Sequence, residues 1–258
     1  MRIGKQDQPF SAISTSTPEA ITVRGKDLVG ELIGQVDFTS YFWFLATGAP
    51  PTETQRFFAD AVLVAIAEHG LVPSVVAARM TYAAAPEAFQ GAVAAGLLGC
   101  GSVVLGSAEV AGRFLNDLII AADKHGEEAA ARDAVLALKA ARKAVPGFGH
   151  PLHADGDPRG NLLLKLAEER GVAGDHVRML YAVREVLPDT LGRPLPINVN
   201  GAIPAVMLDV GFPLAALKGI SLLARTASII GHLQEESERP IGFVLSNHAA
   251  AAIQYDGE

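Results

Sequence analysis

One short run, residues 145–159, brings together side chains that could carry acid–base chemistry. Two glycines and a proline precede His150, so the backbone there can turn tightly and approach a ligand closely. Histidine is the side chain best suited to exchange protons near neutral pH. Arg159 follows in the same run and offers a planar fork for a carboxylate. The combination predicts proton transfer on a carboxylic acid, although a loop histidine can also serve only to cap backbone groups.

Other charged side chains fall where an anionic ligand could be held. His69 precedes a glycine at a predicted helix end, where it could also simply face the negative end of the helix dipole. Arg225 lies in an otherwise apolar helix, where an unpaired charge would be costly. Together with Arg159 and Arg239, it suits a di- or tricarboxylate, because each guanidinium can bind one carboxylate with two parallel hydrogen bonds. Taken singly, each arginine could instead be a solvated surface charge.

Four blocks, in this order, resemble signatures of the citrate synthase superfamily. Residues 68–79, with Glu-His-Gly, a serine and Ala-Ala-Arg, resemble its upstream histidine segment. Residues 145–159 resemble its Val-Pro-Gly-Phe-Gly-His loop and the Asp-Pro-Arg that follows. Residues 195–201 (Leu-Pro-Ile-Asn-Val-Asn-Gly) resemble its Asn-Val-Asp block, and residues 224–240 contain its two C-terminal arginine sites. The resemblance spans nearly the whole chain and is closest to the short members, the citryl-CoA lyases and the lyase module of ATP-citrate lyase.

The resemblance implies an all-α, two-lobed helical fold in which a small lobe is inserted into a large one. We expect the large lobe to comprise residues 1–105 and 212–258, and the small lobe residues 106–211. In the family the ligand lies in the cleft between the lobes, and closure of the cleft excludes water.

The resemblance also implies roles for the candidate residues. His150 would exchange a proton with the tertiary hydroxyl of the substrate, and His69 would hydrogen-bond that hydroxyl and a carboxylate. Arg159, Arg225 and Arg239 would bind carboxylates. Because the arginine corresponding to Arg239 reaches the site of the other subunit, its use requires a homodimer.

Coenzyme A is expected as part of the substrate and product, with no permanently bound cofactor. The adenine would be lined by backbone groups of Val145, Pro146, Gly147, Phe148 and Gly149. Arg193 stands where synthases carry a phosphate-binding lysine. Lys139, Arg142 and Lys143 could add to this charge or form a solvated helix face.

Two residues depart from the family pattern. Val104 stands where synthases carry the histidine that steadies the acetyl-CoA enol, and the lyase module of ATP-citrate lyase also lacks that histidine. Asn200 stands at the aspartate that removes a proton from the acetyl methyl in condensation and returns it in cleavage. An amide can do neither, so Asn200 could only hydrogen-bond a thioester carbonyl or enolate. Asp189 and Asp209 are the carboxylates nearby in sequence.

Composition narrows the class of protein. Half of the 258 residues are hydrophobic, and the net charge is −7, with no long basic run, so nucleic acid is not an expected partner. The single Cys100 fits a reducing compartment and thus a cytoplasmic protein. Residues 88–108 carry no charge but contain several glycines and lack basic flanks, which favours a buried helix over a membrane span. The resemblance implies that helices of this region form the dimer interface. The N-terminus shows no apolar signal-peptide core.

Helical periodicity dominates, with strand signal only for a short hairpin at residues 13–16 and 20–23. Helices are predicted at residues 52–68, 106–124, 127–143, 161–169, 175–186, 203–209 and 213–238. The group His150, His153 and Asp155 could bind zinc, but the family needs no metal there and none is expected.

The function predicted is a carbon–carbon lyase that cleaves a citryl-CoA-like thioester into acetyl-CoA and an oxo acid by a retro-aldol step. Condensation in the reverse direction, or hydrolysis of a CoA thioester, is the alternative within enzymes. A catalytically impaired homologue that binds CoA or a polycarboxylate is the alternative outside them, and Val104 and Asn200 keep it open.

Overall fold

The chain folds as an all-α protein, as the sequence predicts. The structure is a computed structural model that describes residues 10–101, 103, 105–149 and 156–257. The helices are α1 (Phe38–Thr47), α2 (Glu53–Ala67), α3 (Pro73–Ala84), α4 (Phe89–Leu98), α5 (Ser107–His125), α6 (Glu127–Ala140), α7 (Pro158–Glu169), α8 (Asp175–Leu191), α9 (Val199–Asp209), α10 (Leu217–Glu238) and α11 (Gly242–Ala252).

Seven of these helices were predicted from periodicity and differ from the prediction mainly at their ends. The start of α9 is earlier than predicted because Asn198 caps it, its side-chain oxygen accepting the backbone N–H of Asn200 at 3.0 Å. The end of α8 is later than predicted because the helix continues through Pro188 and stops at Gly192, which has φ +78°. Both changes matter for the site, since they fix the positions of Asn200 and Arg193.

The described residues up to Ala59 form one compact unit. The predicted hairpin is present as β1 (Ser14–Ser16) and β2 (Ile21–Val23), which are antiparallel, and β2 also pairs with a short β3 (Lys26–Asp27). A π-helical turn at Leu28–Leu32 follows. The hydrophobic core of this unit contains Val23, Leu32 and Phe44.

The second unit, from Asp60 onward, contains α3 to α11 and the second half of α2. One group packs around α5, which contacts α6, α8 and α9, while α7 packs on α9. Another group packs around α3, which contacts α4, α10 and α11. Helix α5 also contacts α10, so the two groups meet along it.

Glycines allow neighbouring helices of this unit to pack closely. A Cβ built on Gly112 of α5 would lie 2.6 Å from Leu217 Cδ1 of α10 and 3.1 Å from Pro204 Cβ of α9. A Cβ on Gly96 of α4 would lie 2.8 Å from the carbonyl oxygen of Ser74 in α3. Gly96 therefore sets the distance between α4 and α3, because its contact is with a backbone carbonyl that cannot move aside, whereas a side chain at Gly112 would have to displace the side chains of Leu217 and Pro204.

The single buried helix predicted over residues 88–108 is wrong. Helix α4 ends at Leu98, and α5 begins at Ser107. Between them, Leu105 has φ +66°, a left-handed conformation that no helix accommodates. The run is thus a ten-residue helix followed by a turn, with Cys100 buried.

One helical stretch among the described residues, Leu214–Glu238, is long and apolar enough to cross a bilayer by length and composition. The core helix of a water-soluble protein passes the same test, and this helix contains the buried Arg225.

Candidate active site

The loop of residues 145–149 is bound to the start of α9 by backbone hydrogen bonds. Gly149 N–H donates to the Pro196 carbonyl at 2.8 Å, and Asn198 N–H donates to the Gly147 carbonyl at 3.0 Å. The Asn198 side-chain amide donates to the Gly149 carbonyl at 2.6 Å. The loop therefore has a fixed position relative to the first turn of α9, which carries Asn200.

Two glycines make this contact possible. A Cβ on Gly201 would lie 2.5 Å from the Gly147 carbonyl oxygen, and Gly147 itself has φ +85°. Because both partners of the contact are backbone, neither can move aside for a side chain. The glycine pattern that suggested close backbone approach in the sequence is thus explained by a loop–helix contact.

Asp157 organises the segment that carries Arg159. It is fully buried, and it caps α7 by accepting the backbone N–H of Arg159 at 3.1 Å. The same carboxylate accepts Nε–H and Nη2–H of Arg159 at 3.0 and 2.9 Å, and the backbone N–H of Val199 at 3.0 Å. Burial raises the pKa of Asp157, but the bonds from Arg159 and Val199 outweigh it and lower the pKa from 3.8 to about 2. Arg159 is therefore held in place by an ion pair within the chain.

A basic cavity of about 420 Å³ adjoins the loop. Of the residues expected to hold CoA, Val145, Phe148, Gly149 and Arg193 line it, whereas Pro146 and Gly147 do not. The other lining residues are Lys139, Lys143, Ala144, Leu191 and Leu195.

The three basic residues at the end of α6 do not share one helix face. The helix ends at Ala140, and Arg142 has φ +54°, so its side chain leaves the direction of the helix. Lys139 and Lys143 remain at the cavity, where Lys139 Nζ–H also donates to the Thr190 carbonyl at 2.7 Å. With Arg193 they give the cavity three positive charges, a set that suits phosphate.

Arg225 is buried and lacks a carboxylate within ion-pair distance among the described residues. It is 3% exposed, its Nη1–H donates to Ser228 Oγ at a long 3.4 Å, and its Nε finds no hydrogen-bond partner in that part of the chain. Burial lowers the pKa of its guanidinium, which the negative charge of Glu68 partly opposes. Because a buried charge without a partner is costly, a guanidinium with an unused N–H donor favours the binding of an anion.

The predicted residues His69 and Arg239 are both exposed. His69 follows α2, on an exposed turn in which Gly70 has φ +69°. Arg239 is exposed directly after α10, and its carbonyl accepts Nη2–H of Arg79 at 3.3 Å.

The two aspartates near Asn200 in sequence have other roles in the structure. Asp209 accepts the backbone N–H groups of Gly174, His176 and Val177 at 2.7 to 3.0 Å, so it caps α8. Asp189 is 70% exposed and lies 3.5 Å from Arg132.

Two positions of interest, His150 and Val104, lie outside the described residues, as do His153 and Asp155. Among the described residues there is no group of three His, Cys, Asp or Glu side chains that could hold a metal ion. Asp157, Glu68 and His232 are polar partners that the sequence analysis did not single out. The Asp-Pro start of α7 could have indicated Asp157 as a cap, but no local signal connects Glu68 with His232.

These features define an all-α protein in which a glycine loop, a helix N-terminus and a basic cavity adjoin one another. Residues 24–242 match the family model described as citrate synthase, C-terminal domain. Because the match covers most of the chain, the protein belongs to this family.

Solved structures agree with this assignment. The citryl-CoA lyase from Hydrogenobacter thermophilus is 28% identical with a TM-score of 0.85, over 100% of this chain and 96% of that one. ATP citrate lyase from Methanothrix soehngenii, in complex with citrate and coenzyme A, is 23% identical with a TM-score of 0.80, over 99% of this chain and 43% of that one. Citrate synthase from Thermotoga maritima is 18% identical with a TM-score of 0.66, over 86% of this chain and 57% of that one. The last two show the fold alone. No curated protein matches the chain.

Proposed function

We propose that the protein is a citryl-CoA lyase that releases acetyl-CoA and oxaloacetate. The observation that carries the proposal is the similarity to a citryl-CoA lyase over nearly the full length of both chains. A basic cavity beside the glycine loop, and a buried arginine without a carboxylate partner among the described residues, support it.

In this proposal the pantetheine and adenine ends of the thioester bind along the loop of residues 145–149, with phosphates at Lys139, Lys143 and Arg193. The carboxylates bind to Arg159 and Arg225, and to Arg239 of a second copy of the chain. The large lobe comprises residues 1–105 and 212–258 and the small lobe residues 106–211, with the substrate in the cleft between them. A homodimer in the cytoplasm is the expected state.

His150 accepts the proton of the tertiary hydroxyl while His69 donates a hydrogen bond to the substrate. As the O–H bond breaks, its electron pair forms the ketone of oxaloacetate, and the carbon–carbon bond releases its pair onto the thioester as an enolate. Asn200 donates N–H to the enolate oxygen, which neutralises part of the developing charge. Water supplies the proton that completes the methyl of acetyl-CoA, since an amide has no acidic proton to give. The hydroxide left behind takes the proton that His150 had accepted, which restores both water and the neutral histidine.

The direct test is cleavage of citryl-CoA by the purified protein, followed by reduction of the oxaloacetate formed. The variant His150→Ala should lower turnover by about 10²- to 10⁴-fold, the usual contribution of a general acid–base group. His125→Ala, at the exposed end of α5, is the matched control and should retain full activity.

A second candidate is a homologue that binds CoA and a polycarboxylate without turnover, and the amide at Asn200 favours it. Binding of CoA and citrate in calorimetry, with no cleavage of citryl-CoA, would establish this candidate in place of the lyase.

A further inference from the structure

The turn that carries His69 is tied to α10 by a single carboxylate. Oε1 of Glu68 accepts the backbone N–H groups of His69 and Gly70, at 2.8 and 2.5 Å. Oε2 accepts the hydroxyl of Ser228 at 2.6 Å and Nε2–H of His232 at 3.0 Å. Each oxygen thus accepts two hydrogen bonds, Oε1 from the turn and Oε2 from α10.

The Glu68 carboxylate is stabilised in its ionised form. Burial raises its pKa, but the hydrogen bonds from Ser228, His232 and Gly70 outweigh it and lower the pKa from 4.5 to about 2. At neutral pH the carboxylate is therefore an acceptor only, which fits four donors around it.

Arg79 determines the tautomer of His232. Its Nη1–H lies 3.2 Å from Nδ1 of His232, and a guanidinium can only donate, so Nδ1 is the acceptor and the ring proton resides on Nε2, which faces Glu68. Arg79 in turn is held by Glu235 at 2.8 Å and Glu236 at 2.6 Å. Because Arg79 and Glu236 are buried and Glu235 is half exposed, the orientation of His232 is set by a guanidinium held mainly in a buried ion pair.

Ser228 extends the chain of contacts to Arg225. Its only hydrogen is used toward Glu68, so its oxygen faces Nη1–H of Arg225, at 3.4 Å. Ser228 lies three residues after Arg225 on α10, which places the two side chains on one face of the helix. Hydrogen bonds through Glu68 and Ser228 therefore connect the backbone of His69 to the guanidinium of Arg225.

We infer that Glu68 is a positioning residue that holds His69 at a fixed place relative to Arg225, with His232 orienting the carboxylate. This inference rests on the proposed function, in which His69 and Arg225 bind the hydroxyl and a carboxylate of one substrate. Losing Glu68 or the His232 donor releases the turn from α10, so the acid portion of the substrate binds less tightly. The CoA cavity, formed by α6, α8 and the glycine loop, is unaffected.

The test compares Glu68→Gln and His232→Leu with the conservative His232→Gln, which retains an N–H donor. In Glu68→Gln one acceptor oxygen becomes an NH₂ group that faces two donors. For each variant, kcat and KM for citryl-CoA, the dissociation constants of citrate and of CoA, and the melting temperature are measured. Glu128→Gln, a change of the same type at a side chain 76% exposed in α6, is the control.

Glu68→Gln and His232→Leu should each raise KM for citryl-CoA and the citrate dissociation constant about tenfold or more, the scale of one lost hydrogen bond to a charged group. The CoA dissociation constant should stay within about twofold, because its site is separate, and His232→Gln should recover most of the loss.

Lower melting temperatures with unchanged KM and citrate affinity would reduce Glu68 to a structural residue and overturn the inference. Failure of the proposed function is read separately, as absence of citryl-CoA cleavage by the unaltered protein. If the unaltered protein does not cleave citryl-CoA but binds citrate, the citrate dissociation constants of the variants still test the role of Glu68. If the unaltered protein binds no citrate, both the proposed function and the inference about Glu68 are wrong.

Discussion

Asn200 lies in the first turn of α9, where its backbone N–H is bound to the Asn198 side chain and the next residue, Gly201, packs against Gly147 of the glycine loop. The N-terminus of a helix favours negative charge, so an enolate oxygen fits this position. The amide adds a neutral donor there, whereas a carboxylate would add a proton carrier and a second negative charge. Replacing the amide by a carboxylate therefore distinguishes a lyase that lacks its acid group from a reaction that needs the amide donor.

We expect Asn200→Asp to increase the rate of citryl-CoA cleavage if the protein is a lyase that lacks its acid group. The side chains are nearly equal in size, so packing should change little, and a general acid typically contributes about 10²- to 10⁴-fold. Steady-state rates on citryl-CoA for both proteins, with CoA binding as the control, are the measurement. A loss of rate with intact CoA binding contradicts the impaired-lyase interpretation and favours a reaction that needs the amide donor.

At the scale of the elements, Asp157 joins α7 to the start of α9 through its bonds to Arg159 and Val199. We expect Asp157→Asn to lower the free energy of unfolding at pH 7 by about 1–3 kcal/mol, since an amide cannot accept from all of these donors. The exposed Asp133→Asn in α6 should have little effect.

The contribution of Asp157 should also depend on pH in a defined window. Because its pKa is lower in the folded protein, its stabilisation is complete above pH 3.8 and is lost as the pH falls through about 2. Urea unfolding at pH 7 and near pH 2.5 should therefore show a smaller difference between the unaltered protein and Asp157→Asn in acid. An equal difference at both pH values would show that the ionised form is not what stabilises the junction.

The contact between the glycine loop and α9 gives a second prediction at this scale. Gly201→Ala places a Cβ 2.5 Å from the Gly147 carbonyl, so we expect a loss of stability of about 1–3 kcal/mol and weaker CoA binding as the loop moves. Gly219→Ala, in α10 with open space around it, should instead stabilise the helix by about 0.5–1 kcal/mol. Thermal unfolding and CoA titration of both variants are the measurements. Equal stability and equal CoA affinity of the two variants would contradict the expected clash at Gly201.

At the scale of the whole molecule, we expect a homodimer in dilute solution. Leu98 and Val103, at and after the end of α4, are 87% and 88% exposed, and the exposed Arg239 is proposed to act in the partner's site. Light scattering at micromolar concentration should give about twice the chain mass of 26.9 kDa. Leu98→Glu should shift the mass toward the monomer, whereas Leu162→Glu, on exposed α7 surface, should not. A monomeric mass for the unaltered protein contradicts the expectation.

Much of the fold could be predicted from the sequence because amphipathic helices carry their pattern locally. The long α5 and α10 show apolar residues at helical spacing and were predicted within a few residues of their ends. Helices α1, α3 and α11 were missed because they are short and apolar or alanine-rich, without a clear polar face. The helix predicted across residues 88–108 failed because composition alone does not reveal a left-handed residue such as Leu105.

The sequence by itself determined the all-α class, the family blocks and the residue types available for chemistry, because these reside in local pattern and order. Only the tertiary structure decided which groups meet. Glu68 reaches His232 across 164 residues, and Asp157 reaches Val199 across 42. These contacts depend on where the turn after α2 lies against α10 and on how α7 packs on α9. Helical periodicity specifies which face of a helix is buried but not which side chain of a distant segment lies opposite. Arg225 could therefore be predicted to be buried, whereas its connection to Glu68 through Ser228 could not.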